Sequence, residues 1–127
     1  MQPFHVTFVG MDGHRKLRVW QDARLLVLEI YGLTRTLPRD ERFVTVPQLR
    51  RAAWSVTNNI AEGNARRGRP QLSPFLNCAL GSLGEIDAMM SVLPDLYTVP
   101  PARIAAIDSL RIRVTRGIFR MMRASGR

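Results

Sequence analysis

Few residues in this 127-residue chain are suited to bond-making chemistry, and their spacing keeps them apart. The two histidines, His5 and His14, stand in or beside the N-terminal stretch, with no cysteine or carboxylate pair at ligand spacing. A zinc site needs three or four converging ligands, and the local sequence assembles none. Glu85 and Asp87 look like a carboxylate pair. Two positions on a helix differ by about 200°, however, so the two point different ways. Cys78, the single cysteine, falls at the edge of an apolar stripe, where a small packing residue is expected rather than a nucleophile. Gly63-Asn64-Ala65-Arg66-Arg67-Gly68 follows a helical pattern instead of a strand and lacks the glycine spacing of a phosphate loop. The chain is therefore expected to be no enzyme, with no catalytic residue, no metal site and no cofactor.

The arginines are the stronger lead. Nineteen basic residues against ten acidic give a net charge of +9, and eighteen of the nineteen are arginine. A G+C-rich genome explains arginine in place of lysine but not the excess of charge. Guanidinium groups fork onto phosphate or carboxylate oxygens, so the expected partners are RNA, DNA or an acidic protein. Arg50 and Arg51 open the second helical segment, and Arg66, Arg67 and Arg69 follow its end. At 1.5 Å per residue the two clusters lie roughly 20 Å apart. A third row, Arg113, Arg116, Arg120 and Arg123, follows the outer face of the fourth segment. Two of the three clusters also have a plainer role: Arg66 and Arg67 relieve a helix C-terminal dipole, and the row can be a solvated face. No aromatic-rich stacking surface or base-reading helix is evident, so nucleic-acid binding is expected to tolerate sequence.

Four helical segments must position these groups. The first is expected from about Arg15 to Thr36, with Val19, Trp20, Ala23, Val27, Ile30, Tyr31 and Thr34 inward, and Pro38 stops it. The second starts near Thr45 as N-cap, with Pro47 in its first turn. Leu49, Ala52, Ala53, Val56, Ile60 and Gly63 form its stripe, and Gly63 or Asn64 ends it. The third begins at Ser73-Pro74, turns Phe75, Leu76, Ala79, Leu83, Ile86 and Met90 inward, and ends at Pro94. The fourth follows Pro100-Pro101 with Ile104, Ile107, Leu110, Val114, Ile118 and Met121. Short connections between one-faced helices predict an all-α, up-down-up-down antiparallel four-helix bundle over residues 14–124. Residues 1–13 read as a flexible arm with a strand-like stretch at Phe4–Val9, and 125–127 as a tail.

The outer faces are less polar than a solitary bundle requires. On a helical projection Trp54 lies opposite its own inner stripe, beside Arg50, Arg51 and Asn58. Leu25 and Leu28 fall outward on the first helix with Gly32, and Ile112 and Phe119 on the fourth. Gly81, Gly84, Ala88 and Ser91 make a small-residue stripe along the third. A helix-interior glycine costs about 0.8–1 kcal/mol relative to alanine, which another backbone packing closely would explain. Self-association through Trp54, Leu25, Leu28, Gly81, Gly84, Ile112 and Phe119 is the expectation.

The compartment follows from what is missing. One cysteine forms no internal disulfide and suits a reducing environment. Glu29 interrupts the longest apolar run, so no membrane span is expected, and Met1–Gly10 lacks the pattern of a signal peptide. A cytoplasmic location is the default expectation.

Several pieces together carry a family resemblance: Val19-Trp20-Gln21, Ile30-Tyr31, Pro38, Arg50-Arg51-Ala52-Ala53, and Asn59-Ile60-Ala61-Glu62-Gly63 with Arg66-Arg67. Phe75-Leu76 and Gly81-Ser82-Leu83 with Glu85 extend them. Over residues 17–93 the chain resembles the four-helix-bundle proteins encoded in intervening sequences of bacterial 23S ribosomal RNA genes. The resemblance implies a cytoplasmic bundle assembling as a ring, with a homopentamer the best fit. Related bundles serve as accessory subunits of diversity-generating retroelements, where a basic pentamer contacts nucleic acid and a reverse transcriptase. Three departures stand out. Thr57 replaces a frequent proline, so the second helix should be straighter. Pro70 and Pro74 replace polar residues, so the third should start later. Trp54 replaces a smaller residue, favouring a contact there. Two functions are open at this point: an oligomeric scaffold binding RNA or DNA through arginines, or an adaptor for an acidic protein or a reverse transcriptase.

Overall fold

A computed structural model describes residues 13–66 and 72–125. They hold four α-helices and no strand: α1 (Arg18–Thr34), α2 (Thr45–Ala65), α3 (Leu72–Leu96) and α4 (Pro101–Ser125). Short 3-10 turns at Gly13–Lys16 and Arg39–Glu41 precede α1 and α2. The arm expected over residues 1–13, apart from Gly13, lies outside the described residues, as do Arg67, Arg69 and residues 126–127.

Neighbouring helices run antiparallel, and the cross-helix pairs show the register. Trp54 and Arg50 of α2 bond Tyr31 and Thr34 of α1. Ser82 of α3 donates to Ser55 of α2 at 2.7 Å, while Gly63 abuts Leu76. Arg113 and Arg103 of α4 reach Asp22 and Glu29 of α1, and Arg111 reaches Asp87 of α3. Two glycines permit close approach. A Cβ on Gly117 would lie 2.6 Å from Val19 Cγ2, and one on Gly63 would lie 3.1 Å from Leu76 Cδ2.

The core is aliphatic, with Leu26, Ile30, Leu33, Leu49, Ile60, Leu76, Ile86, Ile107 and Ile118 among its fully buried side chains. Each such side chain contributes about 1.5–3 kcal/mol by leaving water. The α1 stripe differs from the expected one. Leu26 and Leu33 are fully buried, whereas Trp20 and Tyr31 are only half-buried at its edge. The reason is that α1 packs on both α2 and α4, so its buried arc is wide and its centre falls between the positions that spacing alone selects.

Helix ends also depart from expectation. Thr45 does not cap α2: it is the first helical residue, and Val44 stands at the cap without a side-chain bond. The Thr45 hydroxyl instead donates to Glu41 Oε1 at 2.6 Å. Helix α3 begins at Leu72, so Ser73 and Pro74 lie within its first turn, where missing intrahelical acceptors make proline harmless. Pro94 does not end α3, which continues to Leu96. Only the acceptor four residues back loses its donor there, and the Tyr97 amide still donates to the Leu93 carbonyl at 2.9 Å. Cys78 is exposed, not part of the packing, because it lies just beyond the buried Leu76–Ala79 arc. Gly32 does not face solvent either: the Arg103 guanidinium lies over it on its way to Glu29.

Candidate nucleic-acid interface

The arginines divide into engaged and unengaged sets. Asp22 is buried on α1, and Arg113 holds it with Nη2 at 2.7 Å and Nε at 3.4 Å. That bond and the carboxylate charge raise the affinity of the Arg113 guanidinium for its proton. Arg113 thus leaves the expected α4 row, because a carboxylate inside the bundle requires a partner. Arg103 pairs with Glu29 at 3.0 Å, Arg111 lies 3.4 Å from Asp87 and 3.8 Å from Asp108, and Arg66 pairs with Glu62 one turn back. Arg66 also covers the Phe75 ring, 4.7 Å from its centre. Arg50 is engaged by α1, with its guanidinium 4.2 Å from the Tyr31 ring centre and Nε 2.9 Å from Thr34 Oγ1.

Arg116, Arg120 and Arg123 are exposed and enter none of these ion pairs. The antiparallel register brings them to the same end of the bundle as the start of α1 and the close of α2. Val19 meets Gly117 there, and a Cβ on Gly13 would lie 3.4 Å from the Asn64 amide. Arg15, Lys16, Arg18 and Arg66 join the α4 row at that end. The nearby described acids, Glu62 and Asp22, are both held by arginines. Arg66 and the α4 row therefore share one end of the bundle, whereas Arg50 and Arg51 sit toward the other end. Arg67 and Arg69 lie outside the described residues.

Aromatic residues scattered in sequence also converge. His14, Trp20, Arg24, Leu28, Tyr31, Arg35, Trp54 and Asn58 line a groove of about 710 Å³ between α1 and α2. Trp54 is 49% exposed and donates Nε1–H to Tyr31 Oη at 2.9 Å. The His14 ring meets Trp20 edge-on at 4.8 Å. Sequence spacing alone did not bring these aromatic residues together. The signal was present, because Trp20, Tyr31 and Trp54 needed only the register between α1 and α2 to bring them together.

Of the expected contact residues, Leu25, Leu28, Trp54, Ile112 and Phe119 are all exposed, and Gly81 and Gly84 face open space. They do not form one patch. Trp54 and Leu28 enter the α1–α2 groove, Gly81 and Gly84 lie along α3, and Ile112 and Phe119 lie on α4. Phe43, 84% exposed, and Val44 escaped notice because they sit in a connection where periodicity says nothing. Beside them a second groove, lined by Pro47, Arg51, Ser55, Ser82 and Glu85, runs between α2 and α3. Glu85 faces that groove while Asp87 turns to Arg111, so the two carboxylates do diverge.

The opposite end carries a polar latch. Glu41 accepts hydrogen bonds from Thr45 and Tyr97, tying the α1–α2 connection to the end of α3. Those two bonds hold the Glu41 carboxyl below its ordinary range, and the same carboxylate pushes the Tyr97 hydroxyl up. Among the described residues, no group of three or more His, Cys, Asp or Glu is placed to hold a metal ion, and no helix is long and apolar enough to cross a membrane.

No curated protein matches the chain. The family match does reach beyond residues 17–93 to include most of α4, where only the apolar pattern spoke before. With residues 15–120 matched to the family described as 23S rRNA-intervening sequence protein, the chain belongs to that family.

Proposed function

We propose that this protein is a non-enzymatic, cytoplasmic scaffold that binds RNA or DNA through the arginines gathered at one end of its bundle. The supporting observation is the segregation of charge. Among the described residues, the acids nearest that end are held by Arg113 and Arg66, while Arg116, Arg120 and Arg123 are exposed and enter no ion pair. Such a surface attracts a polyanion and releases its counterions on binding.

The scaffold acts as a homo-oligomer, and the family resemblance favours a ring of five. A ring repeats one basic end about its axis and so multiplies the field felt within a Debye length, roughly 8 Å at physiological salt. A ring also needs two different patches on each subunit. The Gly81/Gly84 face of α3 supplies one, and Ile112, Phe119 and Leu25 supply the other.

Affinity for RNA and DNA fragments between 50 and 200 mM salt tests the binding. A steep loss with salt across unrelated sequences is expected. Absence of retention even at 50 mM salt rejects the reading and leaves an adaptor for an acidic protein. Light scattering tests the assembly: Gly81→Leu should yield monomers, and a wild-type monomer at micromolar concentration rejects the ring.

A further inference from the structure

The α1–α2 groove has a composition unlike the rest of the surface. Among the described residues, its lining includes Trp20, Tyr31, Trp54 and His14, two arginines, and no carboxylate. Protein interfaces in a chain this basic would set Arg24 and Arg35 against more positive charge unless the partner were acidic. Arg35 lies over the Tyr31 ring, 5.9 Å from its centre, but like Arg24 it enters no described ion pair, and aromatic faces beside such guanidinium groups suit a ligand that is planar and anionic at once. We infer that the α1–α2 groove binds unpaired bases of a single nucleic acid strand, with Trp54 as the stacking platform and Arg24 and Arg35 holding the flanking phosphates.

The roles follow from what is already occupied. Arg50 covers the Tyr31 ring, and the Tyr31 hydroxyl accepts the Trp54 indole N–H. Tyr31 is thus a support that fixes the angle of Trp54, not a second platform. Trp20 is partly buried against the core and closed at its edge by His14. Trp54 keeps half its surface in water. Arg24 and Arg35 are exposed, and neither enters a described ion pair. The groove reaches from His14, at the basic end, to Arg35, so a strand held at that end can continue along it. Every base has a π face, so this stacking stays tolerant of sequence.

The inference rests on the nucleic-acid reading but tests separately. The chain has two tryptophans, Trp20 and Trp54, and both line the groove, so intrinsic emission reports on it directly. The full chain is titrated with a 20-nucleotide single-stranded oligonucleotide, the matching duplex, and inorganic polyphosphate, following emission and anisotropy or displacement together. The single strand should quench emission and bind more tightly than the duplex. Duplex and polyphosphate should bind the basic end without quenching. Trp54→Ala should weaken single-strand binding about tenfold, within the loss seen for one base–aromatic stack, and leave duplex binding unchanged. Trp54→Phe should restore most of it, and Phe43→Ala, an exposed apolar change in the connection before α2 and outside the groove, should have no effect. Single-strand binding without quenching, or unaltered by Trp54→Ala, overturns the groove assignment while the basic-end reading stands. Emission that shifts on diluting the protein alone shows a second copy in the groove, which also overturns it. Failure of all three ligands to bind removes both readings.

Discussion

The two ends of this bundle use their described charged groups in opposite ways. At the end formed by the start of α1 and the close of α2 and α4, the described acids are held by Arg113 and Arg66, and Arg116, Arg120 and Arg123 are exposed. At the other end Arg39 and Arg42 alternate with Asp40 and Glu41, and Glu41 latches the α1–α2 connection to Tyr97. One end thus leaves described arginines without an acid, and the other uses its charge to close the fold. Among the described residues the cations of the first end outnumber its acids, whereas Arg39 and Arg42 at the second are matched by Asp40 and Glu41.

Charge reversal tests that contrast most severely. The double substitution Arg116→Glu, Arg120→Glu should weaken RNA and DNA binding tenfold or more at low salt and lower the salt slope by about two. Arg39→Glu with Arg42→Glu, at the latched end, should change affinity by about twofold or less. Equal losses in a competition assay would show that total charge matters and position does not.

Packing near the basic end gives the next effect. Gly117→Val places side-chain atoms where Val19 already sits, and overpacking of this kind costs about 1–3 kcal/mol in urea unfolding. Gly81→Ala meets open space and should instead stabilise a monomeric chain by about 0.8–1 kcal/mol through helix propensity. Destabilisation of the assembled protein by Gly81→Ala would place another subunit against that face.

The Asp22–Arg113 pair distinguishes its two partners. Arg113→Ala leaves a carboxylate buried, whereas Asp22→Asn leaves a half-exposed guanidinium that water can solvate. Arg113→Ala should therefore lower the melting temperature more than Asp22→Asn. The reverse order would mean that the carboxylate finds another partner.

The latched end should show the smallest effect, visible in its pH dependence. The Glu41 carboxyl is held below its ordinary range, so its contribution is present above the unfolded value and is lost as pH falls through the lower folded one. Tyr97 is pushed up, so its contribution holds below the ordinary tyrosine range, about 10, and is lost as pH rises through the higher folded value. Tyr97→Phe should abolish the alkaline loss and shrink the acidic one in thermal melts. An unchanged alkaline limb would remove the latch from the comparison.

The four helices, their order and most of the core were legible in the residues, because spacings of three and four and the prolines at 38, 47, 74 and 101 are local signals. Local signals also placed Trp54, Ile112 and Phe119 outward. They failed where a position is defined by two neighbours at once. Leu26 and Leu33 are buried because α1 has a helix on each flank, and Trp20 and Tyr31 turn into a groove for the same reason. Pro94 reads locally as a terminator, since nothing in its neighbourhood says that the chain continues helical for two residues more.

The sequence by itself determined that this is an arginine-rich, all-helical chain of the intervening-sequence family, because composition, periodicity and motif order are properties of the chain alone. Only the tertiary structure decided which arginines remain available. Asp22 and Arg113 are 91 residues apart, so no window of sequence reveals that one neutralises the other. The same holds for the groove, whose Tyr31 and Trp54 lie 23 residues apart and meet at 2.9 Å once α1 and α2 have taken their register. Hydrogen bonds and ion pairs act over a few ångströms of space, and the antiparallel packing of the helices decides which distant residues come that close.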